Sequence, residues 1–197
     1  MKYIIRPATA EDGAACAAIY APYVETAVTF EYPAPDAAEM SRRITSTMSA
    51  YPWLVCECDG KVLGYAYAHR FRERAAFDWA VEMSIYLSRE LQGVGIGGAI
   101  YSAVIEMLAA QGYVNAIGIV ATPNHPSESL HEKCGFHLLF EMEKIAWKFG
   151  SWHNMAYYAL RLNQPDGDPG RPIPFPELDR DYVLRVCDRH TAAIKEA

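Results

Sequence analysis

A glycine-rich run is the part of the sequence whose residue types and spacing point most directly to chemistry. It reads Gln92-Gly93-Val94-Gly95-Ile96-Gly97-Gly98. The run falls between a predicted strand and a predicted helix, so main-chain N–H groups converge at the start of that helix and bind phosphate oxygens without side-chain charge. Glycines also let the backbone approach an anion closely. We therefore predict a phosphate-binding turn.

Three other interpretations of this run are open. Gly93, Gly95 and Gly98 match the G-x-G-x-x-G fingerprint of dinucleotide-binding folds, but residues 117–123 contain no acidic residue for a ribose. A P-loop would need a Gly-Lys-Ser/Thr sequence, which the run lacks. The glycines could also turn the chain without binding any ligand.

A strand predicted at residues 80–87 leads into this turn and carries a glutamate. Alternation along the strand places Glu82, Ser84 and Tyr86 on one face. This places Glu82 beside the stretch of the strand that would face a bound molecule, where a carboxylate can accept a proton from a substrate, so Glu82 is the candidate general base. The alternative is an ordinary solvated or salt-bridged strand glutamate.

Composition limits the partners of such a site. The chain has 197 residues, a net charge of −6 and no basic run, so we expect a globular enzyme without a nucleic-acid partner. No segment approaches the roughly 18 consecutive apolar residues of a membrane span, and the N-terminus does not resemble a signal peptide. We expect no membrane partner and a cytoplasmic location.

The cysteines favour neither a disulfide framework nor a metal site. They are odd in number and irregularly spaced: Cys16, Cys56, Cys58, Cys134 and Cys187. A zinc site would need further thiol or imidazole ligands at suitable spacing. We therefore expect small buried hydrophobic residues and no bound metal.

Periodicity and turn signals predict an alternating order of strands and helices. Strands are predicted at 3–6, 53–58, 61–68, 80–87, 116–121, 136–146 and 155–162, and helices at 9–23, 36 onward, 95–111 and 127–134. Asp59-Gly60 marks a hairpin turn. From Asn163 the chain becomes rich in proline and glycine, with an amphipathic helix at 178–195. We divide it into a domain at 1–162 and a linker with a helical tail at 163–197, packed on the domain or on a second subunit.

Two motifs in this order resemble those of the GCN5-related N-acetyltransferase (GNAT) superfamily. Gln92, Gly95 and Gly97 match its motif A, Gln/Arg-x-x-Gly-x-Gly/Ala, and Asn124 with residues 129–136 resembles motif B. The resemblance implies an α/β fold with a mixed, mostly antiparallel central sheet, flanked by helices and splayed at an acetyl-CoA site. It also implies which residues bind that co-substrate: Ile85, Tyr86, Leu87, Gln92, Gly93, Val94, Gly95, Ile96, Gly97, Gly98, Asn124 and Ser129.

Within this superfamily the chain is similar to the phosphinothricin and methionine-sulfone acetyltransferase group. Five segments carry the similarity: residues 5–9, 51–55, 64–67, 77–82 and 150–154. Phe77 stands where a tyrosine is frequent in the group, and His131 replaces a tyrosine of the superfamily's motif B. The first departure leaves the preferred substrate open.

This similarity implies acetylation of the α-amine of a small amino-acid-like substrate, by direct attack and in a homodimer. Glu82 would act as the base, and His131, on the helix beside the cleft, could protonate the departing thiolate. Arg72 and Arg74 could receive the acidic end of the substrate, and Phe77 and His153 would line its pocket. Two alternatives remain: acetylation of a protein or peptide N-terminus, and a non-catalytic sensor of acyl-CoA or amino acids.

Overall fold

The computed structural model describes residues 2–89, 95–167 and 169–194. The helices are α1 (Gly13–Val24), α2 (Ala37–Met48), α3 (Ile96–Gln111), α4 (His125–Lys133) and α5 (Arg180–Ala192). The strands are β1 (Tyr3–Pro7), β2 (Trp53–Cys58), β3 (Lys61–Arg70), β4 (Ala80–Leu87), β5 (Asn115–Thr122), β6 (His137–Lys148) and β7 (Ser151–Arg161). They form one sheet in the order β1-β2-β3-β4-β5-β7-β6.

The centre of the sheet opens into a gap between β4 and β5. This pair is parallel, whereas the other neighbouring pairs are antiparallel. Its register ends at Met83 and Gly118, although β4 continues to Leu87 and β5 to Thr122. The two strands therefore separate over their second halves. This confirms the predicted mixed, mostly antiparallel sheet with a splay.

Local sequence signals explain where several elements begin and end. Asp36 caps α2, and its carboxylate accepts a hydrogen bond from the N–H of Glu39 at 2.8 Å. The hairpin turn has φ of 48° at Asp59 and 81° at Gly60, as its sequence predicts. Gly112 ends α3 with φ of 94°, a conformation in which glycine has no steric cost.

Apolar cores cover both faces of the sheet. On one face α3 contributes Ile100, Val104 and Met107, which are fully buried. On the other face α1 and α2 contribute Cys16 and Ile44. Burial raises the pKa of the Cys16 thiol to about 12, so this cysteine behaves as a small hydrophobic residue.

The C-terminal segment packs on the face that carries α3. Helix α5 buries Val183 and Val186 in the same core as α3, and Phe175 precedes it there. The Oγ1 atom of Thr191 accepts a hydrogen bond from the N–H of Ile5 at 2.9 Å, which ties α5 to β1. Among the described residues, no helix combines the length and the apolar character needed to cross a membrane.

Candidate active site

The gap between β4 and β5 forms a cleft of about 270 Å³. Its lining comes from β4, the end of α1, the loop after α1, and α4: Ile85, Tyr86, Leu87, Tyr23, Val28, Asn124, Pro126, Ser127 and Leu130. A narrower inner part of about 50 Å³ continues toward Met83, Ile119 and His131. The cleft therefore ends where the two strands begin to pair.

Strand β4 presents a free main-chain edge to this cleft. Beyond Met83 its register with β5 ends, so N–H and C=O groups that point toward β5 have no partner in that ladder. Ile85, Tyr86 and Leu87, predicted to bind a cofactor, lie on this stretch. The hydroxyl of Tyr23 donates to the carbonyl of Leu87 at 2.6 Å and fixes one end of the strand. An extended ligand with amide groups can bind along this edge.

The start of α3 lies at the mouth of the cleft. Gly95 precedes the helix with φ of 84°, and a Cβ atom on Gly97 would lie 3.1 Å from the Cδ1 atom of Leu87. A Cβ atom on Gly98 would meet open space. The side chain of Ile96 is buried in the core, so only its main chain can contact a ligand. The helix N-terminus thus offers N–H donors for an anion.

Three residues of the predicted phosphate-binding turn, Gln92, Gly93 and Val94, lie outside the described residues. Asn124 caps α4, where its side chain accepts a hydrogen bond from the N–H of Ser127 at 3.4 Å. Ser129 is half-buried on α4, and the cleft lining on this helix consists instead of Pro126, Ser127 and Leu130.

Glu82 lies on the face of the sheet covered by α1 and α2. It pairs in register with His69 of β3, and its Oε1 atom is 3.7 Å from the Nε2 atom of His69. Burial raises the pKa of Glu82, while the positive charges of His69 and Arg72 oppose this shift. A carboxyl group with a raised pKa exchanges protons nearer to neutral pH, as a general base requires.

An aromatic pocket next to Glu82 is a feature that the sequence analysis missed. It encloses about 170 Å³, and its walls come from β2, β3, α1 and α2: Trp53, Tyr65, Tyr67, His69, Tyr20, Met40, Arg43 and Thr47. The rings of Trp53 and Tyr67 stack with their centroids 4.1 Å apart. Alternation of Tyr65, Tyr67 and His69 along one strand was the signal that could have revealed this wall.

His131 is buried at the inner end of the cleft and has hydrogen bonds at both ring nitrogens. Its Nδ1 atom lies 2.8 Å from the carbonyl of Ser127, and its Nε2 atom lies 3.0 Å from the hydroxyl of Tyr101. The network assigns the proton to Nδ1, with Tyr101 donating to Nε2. Burial lowers the pKa of His131 and favours the neutral ring. These bonds give the His131 ring a place in the packing of the cleft, and its transfer of a proton to the departing thiolate stays a prediction.

Replacing Gly118 by alanine tests this packing. The added Cβ atom would lie 2.3 Å from the Nε2 atom of His131, so the imidazole must move and lose its bond to Tyr101. Overpacking of this kind costs about 1–3 kcal/mol. We expect a lower melting temperature and weaker ligand binding in the cleft, measured by differential scanning fluorimetry and calorimetry. Unchanged values in both experiments would contradict the packing role.

The predicted substrate residues fall in two places. Arg72, Arg74 and Phe77 are exposed on the segment between β3 and β4, and Arg72 is close enough to Glu82 to influence its pKa. His153 lies on β7, with its Nε2 atom 2.9 Å from the carbonyl of Lys148. Its ring packs near Phe30, with the centroids 6.2 Å apart. Among the described residues, no cluster of three or more His, Cys, Asp or Glu side chains could bind a metal ion.

Comparison with known proteins identifies the family. The acetyltransferase (GNAT) domain family matches residues 5–157. The chain belongs to this family. The acetyltransferase is 35% identical over 170 residues to phosphinothricin N-acetyltransferase from Streptomyces viridochromogenes, an alignment that covers 86% of this chain and 92% of that protein.

Two further relatives support the same assignment. L-methionine sulfoximine/L-methionine sulfone acetyltransferase from Pseudomonas aeruginosa is 32% identical over 177 residues, which cover 88% of this acetyltransferase and 100% of the relative. A crystal structure of a phosphinothricin acetyltransferase from Sinorhizobium meliloti in complex with acetyl-CoA superposes with a TM-score of 0.82 at 33% identity. It covers 90% of this chain and 98% of that one. The splayed sheet is therefore the acetyltransferase fold of this family.

Proposed function

We propose that this acetyltransferase transfers the acetyl group of acetyl-CoA to the α-amine of a small amino-acid-like substrate. Phosphinothricin, methionine sulfone and methionine sulfoximine represent the substrate class, because relatives of 32–35% identity are named for them. The observation that carries the proposal is the position of Glu82: a largely buried carboxylate on β4, the strand that borders the cleft.

The cleft fits acetyl-CoA in two respects. The free edge of β4 at Ile85–Leu87 suits the amide groups of the pantetheine arm. The glycine-rich start of α3 suits the pyrophosphate, since its N–H groups lie at a helix N-terminus and net positive side-chain charge is not required. Acetyl-CoA supplies the activated thioester carbonyl.

Glu82 accepts a proton from the substrate ammonium, directly or through one water molecule. A reference amine pKa of roughly 8 leaves about a tenth of the substrate as free amine at pH 7, so the base has a modest free-energy deficit to cover. Main-chain N–H groups of β4 stabilise the negative charge that develops on the carbonyl oxygen. Because a thiol has a pKa near 8.5, the thiolate can leave without a dedicated acid.

Arg72 and Arg74 are the proposed receptors for the acidic end of the substrate. Guanidinium groups bind carboxylate, phosphinate and sulfone oxygens with paired hydrogen bonds. Phe77 is partly exposed on the same segment and offers an apolar surface without a hydroxyl group. His153, whose ring packs near Phe30, is the proposed contact for the other end of the substrate.

A thiol-release assay tests this proposal. We expect turnover with L-methionine sulfone, L-methionine sulfoximine and phosphinothricin at higher kcat/KM than with peptides that have a free N-terminus. Each product should carry one acetyl group on its α-nitrogen by mass spectrometry. A preference for peptides would favour the protein N-terminal reaction. Binding of acetyl-CoA without turnover of any amine would favour the sensor.

We also propose that the enzyme is a homodimer formed through the β6–β7 hairpin. The strands and the turn of this hairpin expose large apolar side chains: Leu138, Leu139, Phe140, Met142, Ile145, Trp147, Phe149 and Trp152. Isolated exposed apolar residues are ordinary, but eight large ones on a single hairpin favour a protein interface. The described cysteines are free thiols, which agrees with the reducing cytoplasm that we propose as its location.

The variant Phe140→Lys/Trp152→Lys is expected to convert the dimer to a monomer. Two desolvated charges at the interface cost several kcal/mol, more than a standard interface tolerates. Size-exclusion chromatography with light scattering measures the mass. The variant Lys2→Ala, at an exposed position outside the hairpin, should stay dimeric. A monomeric wild-type protein at micromolar concentration would refute the dimer.

A further inference from the structure

Lys148, the last residue of β6, has a side chain that is 1% exposed and an ammonium group surrounded by main-chain carbonyls. Its Nζ atom lies 2.8 Å from the carbonyl oxygen of Val24 and 2.8 Å from that of Thr26. It lies 2.6 Å from the carbonyl oxygen of Thr29 and 3.0 Å from that of Glu31. We call these four oxygens the carbonyl cage.

The geometry of the cage resembles coordination of a cation more than a set of paired hydrogen bonds. An ammonium group has three N–H donors, but four acceptors converge on it. Converging main-chain carbonyls are the ligands that replace the hydration shell of K⁺ in selectivity filters. The oxygen of Val24 adds the partial negative charge of a helix C-terminus, because this residue ends α1.

The segment that contributes three of the four cage oxygens also lines the cleft. Residues 25–36 connect α1 to α2 and form what we call the α1–α2 loop. Within it, Val28 lines both the wide and the narrow part of the cleft. Thr29 accepts or donates a hydrogen bond of 2.7 Å with the hydroxyl of Tyr20, and the ring of Tyr20 packs on Tyr86 of β4. The position of this loop therefore determines the shape of the cleft.

The same cage connects the loop to the apolar hairpin. Lys148 follows Trp147 of the hairpin, and the hydroxyl of Tyr32 donates to the carbonyl of Trp147 at 2.8 Å. Glu31, whose carbonyl belongs to the cage, uses its carboxylate for an ion pair with Arg43 at 2.5 Å. The ammonium is thus bonded directly to carbonyl dipoles, as a bound monovalent cation would be, with the charge of Glu31 and the rings of Tyr32 and Phe149 nearby.

We propose that Lys148 is a positioning residue that serves as an internal monovalent cation: it fixes the α1–α2 loop over the cleft and so sets the affinity for acetyl-CoA. The kinetic consequence rests on the proposed function, whereas the cation-like role of the ammonium rests on the cage alone. Without a cation, four buried oxygens would lose their partner, and an unsatisfied buried carbonyl is destabilising.

The variant Lys148→Ala tests this role by chemical rescue. It removes the ammonium with three methylene groups and leaves a space that n-propylammonium can fill. We expect the Kd and KM for acetyl-CoA to rise about tenfold or more, since 1.4 kcal/mol corresponds to a factor of ten. Millimolar n-propylammonium should restore both constants and the melting temperature, whereas n-propanol, which is neutral and of similar shape, should restore none of them.

The variant Lys148→Met is the matched control. Methionine removes the charge but fills the space, so its defect should match that of Lys148→Ala and should not respond to n-propylammonium. Wild-type protein with the same additions controls for acetylation of the amine itself. Equal rescue of both variants, or an unchanged Kd in Lys148→Ala, would overturn the proposal.

The variant Lys148→Arg tests the role of Lys148 if Lys148→Ala does not fold. In Lys148→Arg the planar guanidinium cannot direct its donors at four converging oxygens, so acetyl-CoA should bind several-fold more weakly to a folded protein. An unchanged Kd would overturn the proposal. Calorimetry measures this Kd without turnover.

The two proposals can fail separately. Wild-type protein that binds acetyl-CoA but acetylates no amine would refute the proposed reaction alone. Rescue of acetyl-CoA binding in Lys148→Ala would still test the role of the carbonyl cage.

Discussion

Replacing Glu82 by glutamine is expected to lower kcat/KM about a hundredfold or more, the usual effect of losing a general base. Glutamine keeps the shape of the side chain but cannot accept the proton. The thiol-release assay at several pH values measures the loss. Glu11→Gln, which changes an exposed glutamate outside the cleft, should leave the rate unchanged.

The raised pKa of Glu82 also predicts two pH effects. In the wild type, activity should fall as the pH decreases through that raised pKa, because the base becomes protonated, and Glu82→Gln should lack this limb. Folding favours the protonated carboxyl group, so the ionised group lowers stability at neutral pH. Glu82→Gln should therefore melt at a higher temperature near pH 7.5. This gain should vanish below the ordinary glutamate pKa of about 4.3.

An active Glu82→Gln enzyme would remove this residue from the mechanism. Specifically, kcat/KM within twofold of the wild type across the pH range would contradict the assignment. The melting temperature of Glu82→Gln then gives independent information. If it rises while activity is unchanged, Glu82 is a buried, destabilising carboxylate but not the base.

Removing residues 163–197 is expected to prevent stable folding. This segment contributes buried side chains to the core that contains α3: Phe175, Val183, Val186, Cys187 and Ile194. Burial of each large apolar side chain stabilises a protein by about 1.5–3 kcal/mol. Their sum is comparable with the whole free energy of unfolding of a typical domain, about 5–15 kcal/mol. Circular dichroism should show no cooperative thermal transition for the shortened chain.

Two substitutions in α5 show whether lost stability comes from lost core packing or from shortening of the chain. Val186 is fully buried, whereas Leu184, on the same helix, is 46% exposed. Val186→Asp should lower the melting temperature sharply because a charge is placed in the core. Leu184→Asp should unfold like the wild type. A shortened chain that unfolds cooperatively at the wild-type temperature would show that α5 is dispensable.

Features that depend on local sequence could be predicted well. The hairpin at Asp59-Gly60, the cap at Asp36 and the end of α3 at Gly112 each follow from the conformations that these residues favour. Strand alternation likewise placed Glu82 and Tyr86 on one face of β4. The fold class followed from motifs whose spacing is specific to the family.

Features that depend on distant residues could not be predicted in this way. Lys148 meets carbonyl groups more than 100 residues away in sequence, and no local pattern distinguishes it from a surface lysine. His131 shows the same limit: its position in the motif predicts proton transfer, whereas its hydrogen bonds with Tyr101 and Ser127 depend on the tertiary fold. Tertiary contacts decide the role of such residues.

A crystal structure with coenzyme A and N-acetyl-L-methionine sulfone tests the proposed reaction most directly. We expect the pantetheine arm along Ile85–Leu87, the diphosphate at the start of α3, and the product nitrogen within hydrogen-bond reach of Glu82, directly or through one water molecule. A diphosphate bound elsewhere, or a product nitrogen remote from Glu82, would contradict the proposed reaction.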